Sequence, residues 1–266
     1  MSDWLLLLGY SVVVLLAGTA LFFFTVTHGA LLWRRAVGGT LHESAHVYPI
    51  YSNLRLMRLV DYQPIIAAIL LFQYDRLVSA ITSGLRRSAL RDQQVLITSC
   101  AFGNVIPRVV AAAVDAGARR VQIADIIGNE LTHARGKLGA YPDQLEFLQT
   151  NATALELPDG SVAANVIFFL LHELPHDLKG RALREASRVL CPGGTLYLAE
   201  FHRPDAWVLR ALSWSYFKVF EPWGLALWDT HDPLAQLEAL GCFTCERRTV
   251  FFGNFQIIVA TKHLAA

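Results

Sequence analysis

Charged side chains are scarce in this sequence: Asp, Glu, Lys and Arg make up 17% of 266 residues, against 54% hydrophobic. An average soluble domain carries ~25% charged residues, so the deficit points to membrane contact. The two signs nearly cancel, leaving a formal net charge of +1. Without a basic excess there is no electrostatic case for nucleic acid as a partner. Cysteine is sparse and scattered, at Cys100, Cys191, Cys242 and Cys245, which fits a reducing compartment rather than a disulfide framework. Cys242 and Cys245 form a lone CxxC; a zinc site needs a second pair or histidines at ligand spacing, and neither follows. Also absent is the GxGxxG turn that lets a backbone approach a pyrophosphate.

What stands in its place is the stretch from Val95 to Asp125. Val95–Ile97 is a short apolar run that reads as a buried strand. The turn from Thr98 to Asn104, with Ser99 and Cys100 inside it, holds one glycine, Gly103. Val105–Ala118 reads as a helix with Gly117 at its end, and Val121–Ala124 as a second strand that ends on Asp125. In doubly wound folds the first turn takes the anionic end of a nucleotide-like ligand, and an acid at the second strand takes ribose hydroxyls. A dinucleotide would be crowded by this turn. A smaller adenosine ligand, such as S-adenosylmethionine, needs less room.

Between Trp4 and Trp33 there is no Asp, Glu, Lys or Arg. A helix needs ~20 apolar residues to cross a bilayer core, and Trp4, Tyr10 and Trp33 suit the interfaces. Arg34 and Arg35 follow. Residues 1–35 therefore read as a single-pass anchor in the cell (inner) membrane, with the rest of the chain cytoplasmic. The positive n-region and short apolar core of a cleaved signal peptide are lacking. Residues 36–92 read as a helical linker or cap. Within it His46, Tyr48 and Tyr51 either line a pocket or serve ordinary packing.

Residues 93–266 read as one α/β, Rossmann-like domain. Ile126–Leu138 reads as a helix and Leu145–Gln149 as a third strand, beyond which Asn151, Ala152 and Thr153 can reach an adenine edge. Asn165–Leu171 is a near-continuous apolar run, the mark of a central strand buried on both faces. It delivers His172 and Glu173 to the carboxyl edge of the sheet, where open α/β sheets bind ligands. Histidine can act there as acid, base or metal ligand, and glutamate can pair with it. Leu178–Leu190 reads as a helix ended by Cys191-Pro-Gly-Gly194, and Thr195–Ala199 as a fifth strand leading to Glu200 and His202. Residues 205–232 hold Trp207, Trp214, Trp223 and Trp228. This insertion reads as a lid whose Trp207 and Trp214 touch an apolar substrate, as an interfacial segment, or as an extra packed helix. A last helix, Leu234–Leu240, and a hairpin from Phe243 to Thr261 close the sheet.

Three segments carry a family resemblance: VQIADIIGNEL, LQTNATALELPDGSVAANVIFFLLHEL and REASRVLCPGGTLYLAEFHRP. They resemble the class I S-adenosylmethionine-dependent methyltransferases, and among these the quinone C-methyltransferases, over residues 92–262. A closer resemblance is to the RquA family of rhodoquinone biosynthesis. It rests on Cys100-Ala-Phe-Gly-Asn104, on Phe168–Glu173, on Phe201-His-Arg-Pro204, and upstream on Ala45–Pro49 and Leu71–Leu77. The chain departs from that family at His46, where the family has a tyrosine. The resemblance implies a mostly parallel seven-stranded sheet and a reaction that replaces a methoxy group of membrane-embedded ubiquinone with an amino group. S-adenosylmethionine would be the amino donor, with a divalent metal such as manganese. Thr98–Asn104 would hold its methionine end, Asp125 the ribose and Asn151–Thr153 the adenine. His172, Glu173 and His202 would face the reacting ring. Two other readings are methyl transfer to a quinone or other lipid, and a non-catalytic membrane-bound binding subunit.

Overall fold

The computed structural model describes residues 3–37, 48–139 and 143–264. It opens with α1 (Asp3–Val26), 24 residues long and apolar enough to cross a membrane, followed by α2 (His28–Ala36). His46 lies outside the described residues. A 3-10 turn at Pro49–Ser52 leads into three helices: α3 (Leu54–Val60), α4 (Gln63–Ile69) and α5 (Tyr74–Arg87). The Asn53 side chain caps α3 by accepting from the amides of Arg55 and Leu56, and Pro64 sits in the first turn of α4, where its missing N–H costs nothing. α5 belongs to the main core: Leu77, Val78, Ile81 and Leu85 are fully buried in one cluster with β-strand residues.

The sheet is built from β1 (Gln94–Thr98), β2 (Arg120–Asp125), β3 (Leu145–Gln149), β4 (Val162–Phe168), β5 (Leu190–Phe201), β6 (Phe243–Val250) and β7 (Phe255–Lys262). Its order is β3-β2-β1-β4-β5-β7-β6, with the first five parallel and β7 antiparallel to both neighbours. α6 (Val105–Asp115), α7 (Gly128–Lys137), α8 (His176–Val189), α9 (Trp207–Phe220) and α10 (Pro233–Ala239) complete the chain. Two apolar cores lie on opposite faces of the sheet, one with α5 and α6, the other with α8, as both faces of a parallel sheet must be covered. This is the mostly parallel, seven-stranded Rossmann-like sheet that the resemblance implies.

Two strands, β4 and β5, depart most from the sequence expectation. β4 stops at Phe168, because Phe169 takes a left-handed backbone (φ 54°) and turns the chain before the apolar run ends. Leu170–Leu174 is therefore a turn above the sheet. β5 starts at Leu190, since Cys191-Pro-Gly-Gly194 stays in the sheet as an irregularity between the Val162–Leu190 and Ala164–Thr195 pairs.

Candidate active site

The carboxyl tips of β1, β2, β3 and β4 surround a cavity of about 570 Å³, within the ~300–1,000 Å³ range of ligand pockets. Ser99 and Cys100 line it after β1, Asp125 at the tip of β2, and Asn151 and Ala152 after β3. Asp125 is tied to the first turn: Oδ2 accepts from the Cys100 amide at 2.6 Å and Oδ1 from the Ile127 amide at 2.8 Å. Each oxygen keeps a second lone pair, so ribose hydroxyls can still be accepted. Burial pushes the Asp125 carboxyl up to about 6.

The rest of the first turn faces the cap. The Gly103 amide donates to Asp61, its carbonyl accepts from Lys137, and Asp61 also pairs with Lys137 and with His133 (2.6 Å). A Cβ at Gly103 (φ 82°) would collide with the Tyr74 ring. Thr98 points into the sheet, where its hydroxyl donates to Asn165 Oδ1 at 2.9 Å. Thr98, Gly103 and Asn104 are off the cavity lining, as is Thr153, whose amide and hydroxyl both donate to Asn151 Oδ1.

Above β4, the Leu170–Leu174 turn brings His172 and Glu173 to the cavity. Two buried groups hold this turn. Glu200, fully buried at the end of β5, accepts from the amides of Leu171 and His172 through Oε2 and from His172 Nδ1 through Oε1 at 3.1 Å. Lys179, fully buried on α8, donates from Nζ to the carbonyls of Leu171 (2.5 Å) and Leu174 (2.6 Å). Burial works against charge on His172, but Glu200 beside it, with Glu173 and Glu221, outweighs that and pushes its pKa up to about 9. The ring is then an imidazolium at neutral pH, with Nδ1 on Glu200 and Nε2 4.0 Å from Glu173.

The cap supplies the opposite wall. Tyr51 donates to Glu173 Oε1 and Tyr48 to Glu221 Oε2, each at 2.5 Å. The Tyr51 ring stacks on Phe102, with centroids 5.9 Å apart. Burial raises both tyrosines, and burial with the nearby Glu173 pushes Glu221 up to about 8. Beyond them the cavity runs on to Leu16, Ala20 and Phe23 of α1, Ile66 and Ile69 of α4, and Tyr216 and Phe220 of α9.

Three further expected residues are not brought here. His202 turns away to Gly253, its Nδ1 2.7 Å from that carbonyl, and lies off the cavity lining. Trp207 and Trp214 project outward from α9, 76% and 49% exposed. Three acids were given no role from the sequence, Glu200 being named only as a strand end. Glu221 carried a signal, being the only acid between Asp205 and Asp229 in an aromatic stretch. Glu200 was overshadowed by His202. Glu130, buried on α7 with Oε1 unpartnered, sits in an ordinary polar helix and gave none. Among the described residues no group of three or more His, Cys, Asp and Glu side chains is arranged to hold a metal ion. Asp125, Glu173, Glu200 and Glu221 are engaged by tyrosine, histidine and backbone instead, so among the described residues no donor set is assembled for the expected manganese.

Solved methyltransferases share this fold. An O-methyltransferase family protein from Burkholderia thailandensis superposes with a TM-score of 0.63 at 13% identity, covering 85% of this chain and 65% of that one. An S-adenosylmethionine-dependent methyltransferase from Mesorhizobium loti gives a TM-score of 0.51 at 16% identity, covering 69% and 96%. By sequence, the ubiquinone/menaquinone biosynthesis C-methyltransferase UbiE of Hahella chejuensis is 42% identical over 87 residues, 32% of this chain and 34% of that protein. The UbiE of Methylobacterium nodulans is 35% identical over 128 residues, 48% and 49%. The chain thus spans between a third and a half of the length of these relatives. Residues 58–231 match the ubiE/COQ5 methyltransferase family from α3 to the end of the aromatic insertion, and the chain belongs to that family.

Proposed function

We propose that this chain is a membrane-held, S-adenosylmethionine-dependent transferase that modifies the ring of a long-tailed quinone. The observation that carries the reading is the single cavity running from the strand tips, past His172 and Glu173, to the apolar α1. One end suits a water-soluble adenosine ligand and the other a lipid tail. Ser99 and Cys100 would meet the methionine end, Asp125 the ribose, and Asn151 and Ala152 the adenine. When bound, S-adenosylmethionine supplies the transferred group. His172, as imidazolium, donates from Nε2 to a quinone oxygen and steadies the negative charge that grows there when the ring is attacked, the role of a preorganised oxyanion donor. Tyr51 and Phe102 give the ring a flat wall.

Within this reading we favour replacement of a ubiquinone methoxy group by an amino group, the rhodoquinone-forming reaction. Its support is the first turn: the Gly103 amide and carbonyl are taken by Asp61 and Lys137. The methionine end is therefore offered a different cradle from a glycine-rich turn, which can turn its amine toward the quinone. Methyl transfer to the quinone is the second reading, favoured by the UbiE relatives. Mass spectrometry of quinones from a ubiquinone-producing host, with and without the gene, tests both. An amino-for-methoxy quinone supports the first and an added methyl the second. Unchanged quinones in cells that hold the folded protein in their membranes overturn both and leave a binding subunit.

A further inference from the structure

α9 is mispartnered for a helix in water. Of its 14 residues only Phe217 is buried, yet Trp207, Val208, Leu212, Trp214 and Val219 stand exposed, Leu212 by 64%. Val208, Leu212, Ser215 and Val219 follow at helical spacing and form one stripe. The single cation of the last turn, Lys218, lies over the Trp214 ring at 5.5 Å, as a side chain does when it covers apolar surface and keeps its charge in the headgroup layer.

The surface continues through α2 into α1. His28 Nδ1, at the start of α2, lies 3.1 Å from the Val219 carbonyl, and α1 and α9 both line the cavity. α4 lines the cavity too and offers exposed Ile69, and Phe72 just beyond it is 79% exposed. Length removes any slack. On α1 every residue from Trp4 to Leu21 is exposed, whereas Phe22 and Phe23 pack against the cap beside Tyr48 and Tyr51. The free stretch is 18 residues, about 27 Å at 1.5 Å per residue, against a hydrocarbon core of ~30 Å. If that stretch crosses, the surface around Phe22 is drawn against the lipid boundary, and α9 with it.

We infer that the exposed face of α9 lies in the bilayer surface beside α1, so that the cavity opens into the membrane between α1, α4 and α9 and takes its apolar substrate sideways from the lipid. The inference rests on the membrane-held reading above. Its test is photocrosslinking of the full chain in phosphatidylcholine vesicles, with p-benzoylphenylalanine replacing Leu212 on α9, Val14 on α1 or Glu246 on the edge strand β6, one at a time. Lipid adducts at 212 and 14, with none at 246, are expected. An adduct at 14 without one at 212 overturns the docking of α9, whether water or another protein covers it, and leaves the anchor standing. No adduct at either position overturns the membrane-held reading itself.

Discussion

His172 owes its chemistry to its neighbours. Burial alone would make the imidazole neutral; Glu200 on Nδ1 reverses this and sets the pKa at about 9. His172→Gln should lower kcat by ~10²–10⁴, the usual contribution of a positioned acid or base. S-adenosylmethionine affinity, read by calorimetry, should hardly move, and unimpaired turnover would remove His172 from the chemistry. The wild-type rate should fall as pH rises through about 9, where the imidazolium is lost. Stability follows the same protons. His172 rises from 6.5 to about 9 on folding and Glu221 from 4.5 to about 8. Both bind a proton more tightly when folded, so their contribution is whole below the unfolded values and is lost as pH climbs through the folded ones. Lys179 falls from 10.5 to about 8 and works in the opposite sense only above pH 8. The urea midpoint should therefore decline between pH 6.5 and 8, and less steeply in His172→Gln or Glu221→Gln. An equal slope in both variants would contradict this assignment. Asp125 was legible in the sequence because it ends a strand, and His172 and Glu173 because they follow the apolar run of β4, although that strand stops short of them. Tyr48 and Tyr51 stood out as a polar-aromatic cluster. Glu130 was not legible, since its place on the cavity wall depends on where a whole helix lands.

The Leu170–Leu174 turn is the element on which the site depends, and Lys179 is one of the two buried side chains that hold it. Lys179 is buried, with burial pulling its pKa down to about 8 against the pull of Glu200 and Glu221. Its two bonds close the carbonyls of Leu171 and Leu174. Lys179→Met fills similar space but leaves those carbonyls unpaired, at about 1–3 kcal/mol for each buried group. The variant should lose stability in urea by that order, and kcat should fall further than affinity for S-adenosylmethionine, because the turn carries His172 and not the adenosine wall. Equal losses in kcat and affinity would show general unfolding rather than a displaced turn. The elements themselves could be read from apolar runs and glycine stops. The point where β4 gives way to this turn could not: Phe169 and Leu170 are as apolar as the strand before them, and only tertiary packing turns the chain there. In the same way Cys191-Pro-Gly-Gly194 has the composition of a helix stop, yet the sheet keeps it.

At the scale of the molecule, the low charge content, the exposed α1 and the long cavity are aspects of one arrangement. On the proposed reading the strand tips face a ligand that arrives from water, and α1, α4 and α9 face one that arrives from lipid. The fold of the water-facing half was legible because its periodicity is strong. The lipid-facing half was legible only as an excess of apolar residues, since nothing in a sequence says which side of an aromatic helix is left uncovered. A substrate taken from lipid obeys surface kinetics: its effective concentration is its mole fraction in the bilayer. With the protein in vesicles and total quinone held constant, added phospholipid should reduce the rate in proportion to the dilution of quinone in the membrane once that fraction lies below saturation. A quinone with a short, water-soluble side chain should escape this dependence, because its concentration at the site is set by the aqueous phase and not by its mole fraction in the bilayer. If the long-tailed quinone also proves indifferent to added lipid, the substrate enters from water, and the apolar half of the cavity serves some purpose other than delivery.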